Sequence, residues 1–389
     1  MRVALYTYNT KPRGGVVHTL ALAEALQKAG CLVTVHALGL NGESQFFRKV
    51  GVDTKVIPFT PRQDELFEAR IIRYIDTYAA ALESEPLDAY DIHHAQDCIS
   101  ANSLNRLMTK GLVPYFIRTV HHLDDFTTPA LVDCQNQSVV QPQALVTVSE
   151  YWSRRMKAEY GRASSLIHNG VEDRFFHKAG GDSRELKAKY GLQERTVFLA
   201  LGGIEPRKNT IATLRAFTQV RRALPEAVLL IAGGTTLFDY RHYRNEFELE
   251  LQSLEPAVVS SIRIMGSPDN ETVQELYRLA DCYVQPSKKE GWGLAILESM
   301  AAGTPVVASD IDVFQEFLKH GHNALLADPD RPEEIAGSML RMVKEQELAE
   351  HLSTNGKVTA RQYTWSVAAE KHKSLYRRVM MGGQAAYSC

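Results

Sequence analysis

No C-x-x-C pair occurs in this sequence, and its five cysteines (Cys31, Cys98, Cys134, Cys282 and Cys389) are scattered. That spacing fits neither a zinc site nor the disulfide framework of a small secreted domain, and it points to reduced thiols in a cytoplasm. No uninterrupted apolar run reaches about 18 residues, so no membrane-spanning helix is expected; peripheral contact with the inner membrane face stays open. The N-terminal "MRVALYTYNT" lacks the apolar core and cleavage site of a signal peptide and reads as a first strand. Neither sign of charge is in excess. With 44 basic and 46 acidic residues the net charge is −2, which gives no electrostatic case for nucleic acid as the main partner. No G-x-G-x-x-G follows the first strand, against a nicotinamide-type oxidoreductase, and no G-K-[ST] marks a nucleoside-triphosphate loop.

What is present is alternation. β-rich runs "RVALYTY", "CLVTVHAL", "TKVIPF", "DIHHAQ", "PYFIRTV" and "ALVTVS" are interleaved with helical stretches such as "GGVVHTLALAEALQKAG", which closes on a Lys-Ala-Gly helix stop. The polar, glycine-bearing "NGVEDRFFHKAGGDSRE" reads as a linker. The pattern then restarts with "TVFLALGG", "AVLLIAGG", "SIRIMG", "CYVQPS" and "TPVVASD". At 389 residues the chain is too long for one ordinary core. The expected fold class is therefore α/β, with two Rossmann-like doubly wound domains, residues 1–175 and 176–363, facing a central cleft. Residues 364–389, with Trp365, Val367, Leu375, Tyr376 and Val379 on an amphipathic pattern, are expected to return to the first domain, with a frayed tail. Ligands of such sheets sit at the carboxyl ends of the strands.

Three loops at those ends carry the candidate chemistry. Gly14 and Gly15 stand between the first strand and its helix, where glycine allows close backbone approach and a helix N-terminus offers free N–H groups; taken alone, the pair reads as a tight turn. Arg207 and Lys208 follow "ALGGIEP" at a helix start, a fork and a point charge suited to a diphosphate, against the alternative of a solvated surface pair. In "KKEGWGLAILESM" Glu290 and Glu298 are eight positions apart, which turns the second by about 80° on a helix, so they do not share one face. The expected arrangement has Glu290 ending a loop, Gly293 and Leu294 opening a helix with N–H groups for phosphate, and Glu298 on that helix. Carboxylates accept from hydroxyls. Glu290 then suits sugar hydroxyls and Glu298 ribose hydroxyls, on either side of a diphosphate. Trp292 stacks on a sugar face or braces the turn.

Here the residues resemble a known family. "PSKKEGWGLAILESMAAGTPVV" resembles the E-x7-E region of retaining glycosyltransferases of family 4, which have the GT-B fold. "RGGVVHTLALAEAL", "HNGVEDRFF", "GGIEPRKN" and "IRIMGSPDNETVQELYRLADCYVQPS" resemble further family segments in the same order. "RTVHHLDDFT" and "HHAQDCISAN" resemble a bacterial subgroup. The resemblance implies a donor site in the second domain: Glu290 on the donor sugar, the 292–294 backbone on sugar and phosphate, Glu298 on ribose, and Arg207 and Lys208 on the leaving diphosphate. Met265, in "IRIMGSP", lies where the base would meet backbone. It implies no cofactor beyond a nucleoside-diphosphate sugar as co-substrate, and no metal. One departure stands out: where many members carry an Arg after the glycine, this chain has Gly203, and Arg207 is the candidate replacement.

The histidine pairs His93–His94 and His121–His122 invite a metal reading, but neighbours on a strand point to opposite faces, and no cysteine or carboxylate cluster accompanies them. The resemblance instead places His121, with His122 as alternative, near the donor sugar. His94, Asp97 and Asp124 are acceptor-side candidates; Asp124 and Asp125 also suit loop caps. Glu316 is expected to be structural. The expected activity is metal-independent transfer of a sugar to a hydroxyl acceptor, which is a small molecule, lipid, glycan or protein. The alternative is a non-catalytic nucleotide-sugar sensor, for which Gly203 is the one mark.

Overall fold

The computed structural model describes residues 1–382 except 41, 61, 63–64, 178–180 and 234–239. The expected frayed tail lies outside the described residues. The chain divides into two compact units, Met1–Gly170 with Thr364–Cys389, and Val171–Tyr363. The first crossing thus falls ahead of residue 175. The supposed linker is largely structured. Residues Asp173–Phe176 form a 3-10 turn with Phe175 buried, and Asp182 caps the helix Ser183–Lys189.

The first unit holds seven strands: β1 (Arg2–Thr7), β2 (Leu32–Leu40), β3 (Asp53–Phe59), β4 (Ile92–Ala95), β5 (Ile117–Val120), β6 (Ala144–Thr147) and β7 (Ser165–Leu166). They pair in parallel in the order β3-β2-β1-β4-β5-β6-β7. The second holds β8 (Val197–Leu201), β9 (Val228–Ala232), β10 (Ile262–Gly266), β11 (Cys282–Gln285), β12 (Val306–Ser309) and β13 (Leu325–Ala327), again parallel, ordered β10-β9-β8-β11-β12-β13. These are the two doubly wound layers of a GT-B protein. Central strands such as β4, β9, β11 and β12 are buried at every position. Helices cover both faces of such sheets, which is why these strands read as continuous apolar runs.

Each sheet reverses its strand order once, between β1 and β4 and between β8 and β11. The loops leaving those four strands carry most of the candidate residues, as expected for crevices at a switch point. Local signals set the helices that follow. Gly14 opens the helix Gly14–Lys28, and Gly30, at φ 86°, ends it. Asp97 and Ser100 form a reciprocal capping box for the helix Cys98–Thr109.

The C-terminal helix Trp365–Met380, capped by Thr364, belongs to the first unit. It buries Trp365, Leu375, Tyr376 and Val379, while Val367 is exposed; that position departs from the expected apolar face. Gly170 is required where the chain leaves this unit: a Cβ there would stand 2.1 Å from the backbone nitrogen of Trp365. No helix among the described residues is long and apolar enough to cross a membrane.

Candidate active site

In the second unit β8 and β11 are neighbours, so their loops meet. Glu290, eight per cent exposed, accepts on Oε1 from Lys208 Nζ at 2.5 Å, Ser287 Oγ at 2.9 Å and Gln285 Nε2 at 3.0 Å. Its Oε2 accepts from Arg207 Nη1 at 3.0 Å, and Arg207 Nη2 also reaches Glu205 Oε1 at 3.0 Å. The backbone closes the same contact, Lys288 N donating to Arg207 O at 2.8 Å. Burial alone would raise the Glu290 carboxyl. The Lys208 and Arg207 charges outweigh it and hold the group down to about 2. Glu290 is therefore a permanent anion that orients both cations.

The resemblance sets Arg207 and Lys208 on phosphate and Glu290 on sugar, and names no contact between them. The fold joins them in one ion cluster, and adds Gln285, Ser287 and Glu205, which that reading did not single out. Gln285 ends β11 and Ser287 follows it in "CYVQPS", and that position was their only signal.

Glycine shapes the loop after β8. Gly202 sits at φ 149°, with the Lys208 stem packed where a Cβ would lie. A Cβ on Gly233 would stand 2.2 Å from the backbone of Gly202. Gly203 accepts from Thr210 Oγ1 through its carbonyl at 3.2 Å. Arg207, the candidate replacement for an arginine at Gly203, is held by Glu290 and Glu205.

Gly293, at φ 136°, precedes the helix Leu294–Ala302. A Cβ there would crowd Phe317 at 3.0 Å and Phe314 at 3.1 Å. Trp292 is two per cent exposed and lies against Phe317 and Tyr363, ring centroids 4.8 and 5.2 Å away. Packed there, the ring braces the turn.

Glu298 projects from that helix and is also buried. Tyr277 Oη donates to its Oε2 at 3.0 Å. Burial and the nearby Glu172 raise its carboxyl to about 7, against the pull of Arg174 and the Tyr277 hydrogen bond. The two glutamates thus titrate at opposite ends of the carboxylate range. Met265 is half-buried in edge strand β10.

In the first unit His121 leaves β5 and packs beside the N-terminal turn of Gly14–Lys28. A Cβ on Gly15 would lie 3.9 Å from its Cδ2, and the His18 ring meets it edge-on at 4.5 Å. Its Nε2 is buried with no hydrogen-bond partner among the described residues. Burial, His122 and Arg118 push the imidazole down to about 3, so it is neutral. His122 instead faces Asp124 at 3.5 Å.

The remaining first-unit candidates have internal work. Both His94 nitrogens are used, Nδ1 with Tyr376 Oη and Nε2 with Thr119 Oγ1, each at 2.8 Å. His94 has no ring atom left for an acceptor, a correction to its expected role. Asp97 caps its helix and accepts from Tyr8 N at 2.9 Å. Asp124 is tied through its backbone to the Gln135 side chain, N to Oε1 at 2.8 Å and O to Nε2 at 3.0 Å. Among the described residues no three His, Cys, Asp or Glu side chains gather as a metal-binding group.

Residues 12–175 match the family described as Glycosyltransferase Family 4, and residues 182–359 match Glycosyl transferases group 1. The chain belongs to the family 4 glycosyltransferases. It is 27% identical to the phosphatidyl-myo-inositol mannosyltransferase of Mycobacterium tuberculosis over 98% of either chain. Two solved structures share the fold. Sucrose-phosphate synthase from Thermosynechococcus elongatus has a TM-score of 0.78 at 19% identity, covering 98% of this glycosyltransferase and 100% of that chain. Anabaena HepE, solved in complex with UDP and glucose, has a TM-score of 0.79 at 16% identity, covering 97% and 99%.

Proposed function

We propose that this glycosyltransferase moves a sugar from a nucleoside diphosphate to a hydroxyl acceptor with retention of anomeric configuration and without a metal. The observation that carries the reading is the Glu290–Lys208–Arg207 cluster at the switch point of the second sheet, with Glu298 on the helix that follows. The UDP and glucose held by HepE, and the sugar transfer named for the mannosyltransferase, support it.

In this reading Lys208 and Arg207 stabilise the charge that develops on the departing diphosphate. Glu290 keeps them aimed, and offers its carboxylate to donor-sugar hydroxyls. Gly293 and Leu294 present N–H groups to phosphate. Glu298, when ionised, accepts from ribose hydroxyls, and His121 Nε2 serves a sugar hydroxyl. The bond from the anomeric carbon to the diphosphate oxygen breaks and the bond to the acceptor oxygen forms on the same face. The acceptor proton passes to the leaving phosphate. Glu290, locked in its ion cluster, is not the nucleophile.

The test is a thermal-shift panel of UDP-, GDP- and ADP-sugars, with and without EDTA, on the wild type and Glu298→Ala. One nucleotide series should raise the melting temperature regardless of EDTA, and the shift should vanish in the variant. No shift with any donor would overturn the donor-site assignment. Product NMR then reads the anomeric configuration.

A further inference from the structure

Cys31 and Cys282 are buried, whereas Cys98 and Cys134 are only partly so. These two come together although the sequence scatters them. Cys98 begins the helix Cys98–Thr109 and Cys134 lies in the helix Pro129–Val140. Asn102 bridges them, its Nδ2 donating to Cys98 O at 2.8 Å, to Cys134 O at 2.8 Å and towards Cys134 Sγ at 3.3 Å. One amide nitrogen thus spans both residues. Beside them lies Arg118, four per cent exposed, with Nε and Nη1 buried and without hydrogen-bond partners among the described residues. A buried guanidinium with unused donors is a site for an anion.

We propose that Cys98 and Cys134 form a peroxide-reactive dithiol in the first unit, in which Cys134 is the attacking thiolate, Arg118 stabilises it, and Cys98 resolves the product into an intrachain disulfide. The groups facing the pair set this order. The Cys98 hydrogen bond and the Arg118 charge lower the Cys134 thiol, against burial and the Asp133 and Asp97 carboxylates. The same hydrogen bond and burial raise Cys98, with Arg118 acting against them and Asp97 adding to them.

The Cys134 thiolate, its proton released to solvent, forms a bond to one peroxide oxygen as the O–O bond breaks. The departing hydroxide takes up a proton as water. Cys98 loses its proton and attacks the sulfur of the Cys134 sulfenic acid. The S–O bond breaks, and the second hydroxide leaves as water. Two thiols are oxidised by two electrons and one hydrogen peroxide is reduced to two waters. Pairs of this kind in reducing compartments are transient rather than structural. The inference is independent of the donor-site reading.

The product would join the two helices one residue from Gln135, which holds Asp124 in the loop following His121. The test uses the full chain with one equivalent of hydrogen peroxide, then alkylation and non-reducing peptide mass spectrometry. A Cys98–Cys134 cross-link should dominate while Cys31 and Cys282 stay alkylatable. In Cys98→Ser, dimedone should label Cys134; in Cys134→Ser, Cys98 should stay unmodified. Without peroxide, the Cys134 alkylation rate should reach half its plateau below the free-thiol value of about 8.5. That midpoint should rise in Arg118→Met and recover towards wild type in Arg118→Lys. Recovery of both cysteines as free thiols from folded, peroxide-treated protein would overturn the proposal, as would Cys134 alkylation no faster than that of Cys31.

Discussion

Lys208 Nζ lies 2.5 Å from Glu290 Oε1, bridging two loops that are 82 residues apart in sequence. The contact exists because β8 and β11 are neighbours in the second sheet. It makes the cation and the carboxylate one unit. Glu290→Gln should lower kcat about 100-fold or more, since the two cations lose the charge that aims them. Lys208→Met should do at least as much, because it removes a charge from the leaving diphosphate. Circular dichroism should show both variants folded. Wild-type turnover in either would overturn the assignment.

The two glutamates should give stability opposite pH slopes. Glu290, held at about 2 against an ordinary 4.5, contributes stability that is full above about pH 4.5 and lost as pH falls towards 2. Glu298, raised to about 7, costs stability when ionised. That cost is absent below about pH 4.5 and complete above about pH 7. Glu298→Gln keeps an acceptor for Tyr277 and removes the cost, so it should gain on the wild type by up to about 3 kcal/mol between pH 5 and pH 8. Calorimetric melts of both proteins at the two pH values measure it. Nucleotide affinity should move the other way, rising through pH 7 in the wild type and staying flat in the variant, as titration calorimetry will show.

The parallel sheets were legible because strands buried on both faces leave continuous apolar runs such as "TVFLAL" and "AVLLIA". Glu290 ending a loop, Gly293 preceding the helix and Glu298 on it were legible from glycine placement and helical spacing. The partners were not. Glu290 meets Lys208 through strand order, and His94 meets Tyr376 across 282 residues; no local pattern encodes either. Asp97 carried a readable signal, a capping residue three positions before Ser100, yet its loop position favoured a ligand role instead. Val367 fits the amphipathic pattern by spacing but lies outside the packed face.

Close backbone approach constrains one glycine of this site, and a left-handed φ constrains another. Gly233→Ala would drive a Cβ into the Gly202 carbonyl, an atom that cannot swing aside. It should displace the loop holding Lys208 and reduce donor affinity and melting temperature together. Gly293→Ala meets only the phenylalanine rings but at φ 136°, so backbone strain is its main cost. Donor titration and thermal melts should show the first variant more damaged than the second.

Trp292 offers a separation of bracing from binding. Its indole is enclosed by Phe317 and Tyr363. Trp292→Ala should therefore destabilise by about 3–5 kcal/mol, the range for a large aromatic truncated in a core. Trp292→Phe should recover most of that loss with an unchanged KM for the donor. A raised KM with unchanged stability would instead mark a sugar-stacking ring.

His121 is neutral at working pH because burial, His122 and Arg118 hold it at about 3. A group that titrates there cannot shuttle a proton between pH 6 and 8, so the role proposed for it in transfer is hydrogen bonding through the open Nε2. His121→Ala should lower kcat/KM about 10-fold, an effect in the 1–3 kcal/mol range of a lost buried hydrogen bond. The pH–rate profile between 6 and 8 should keep its shape. His121→Asn, whose side-chain amide can still donate or accept, should recover part of the loss. A limb disappearing from the profile in His121→Ala would mean the imidazole carries a proton after all, and its pairing with a sugar hydroxyl would have to be abandoned.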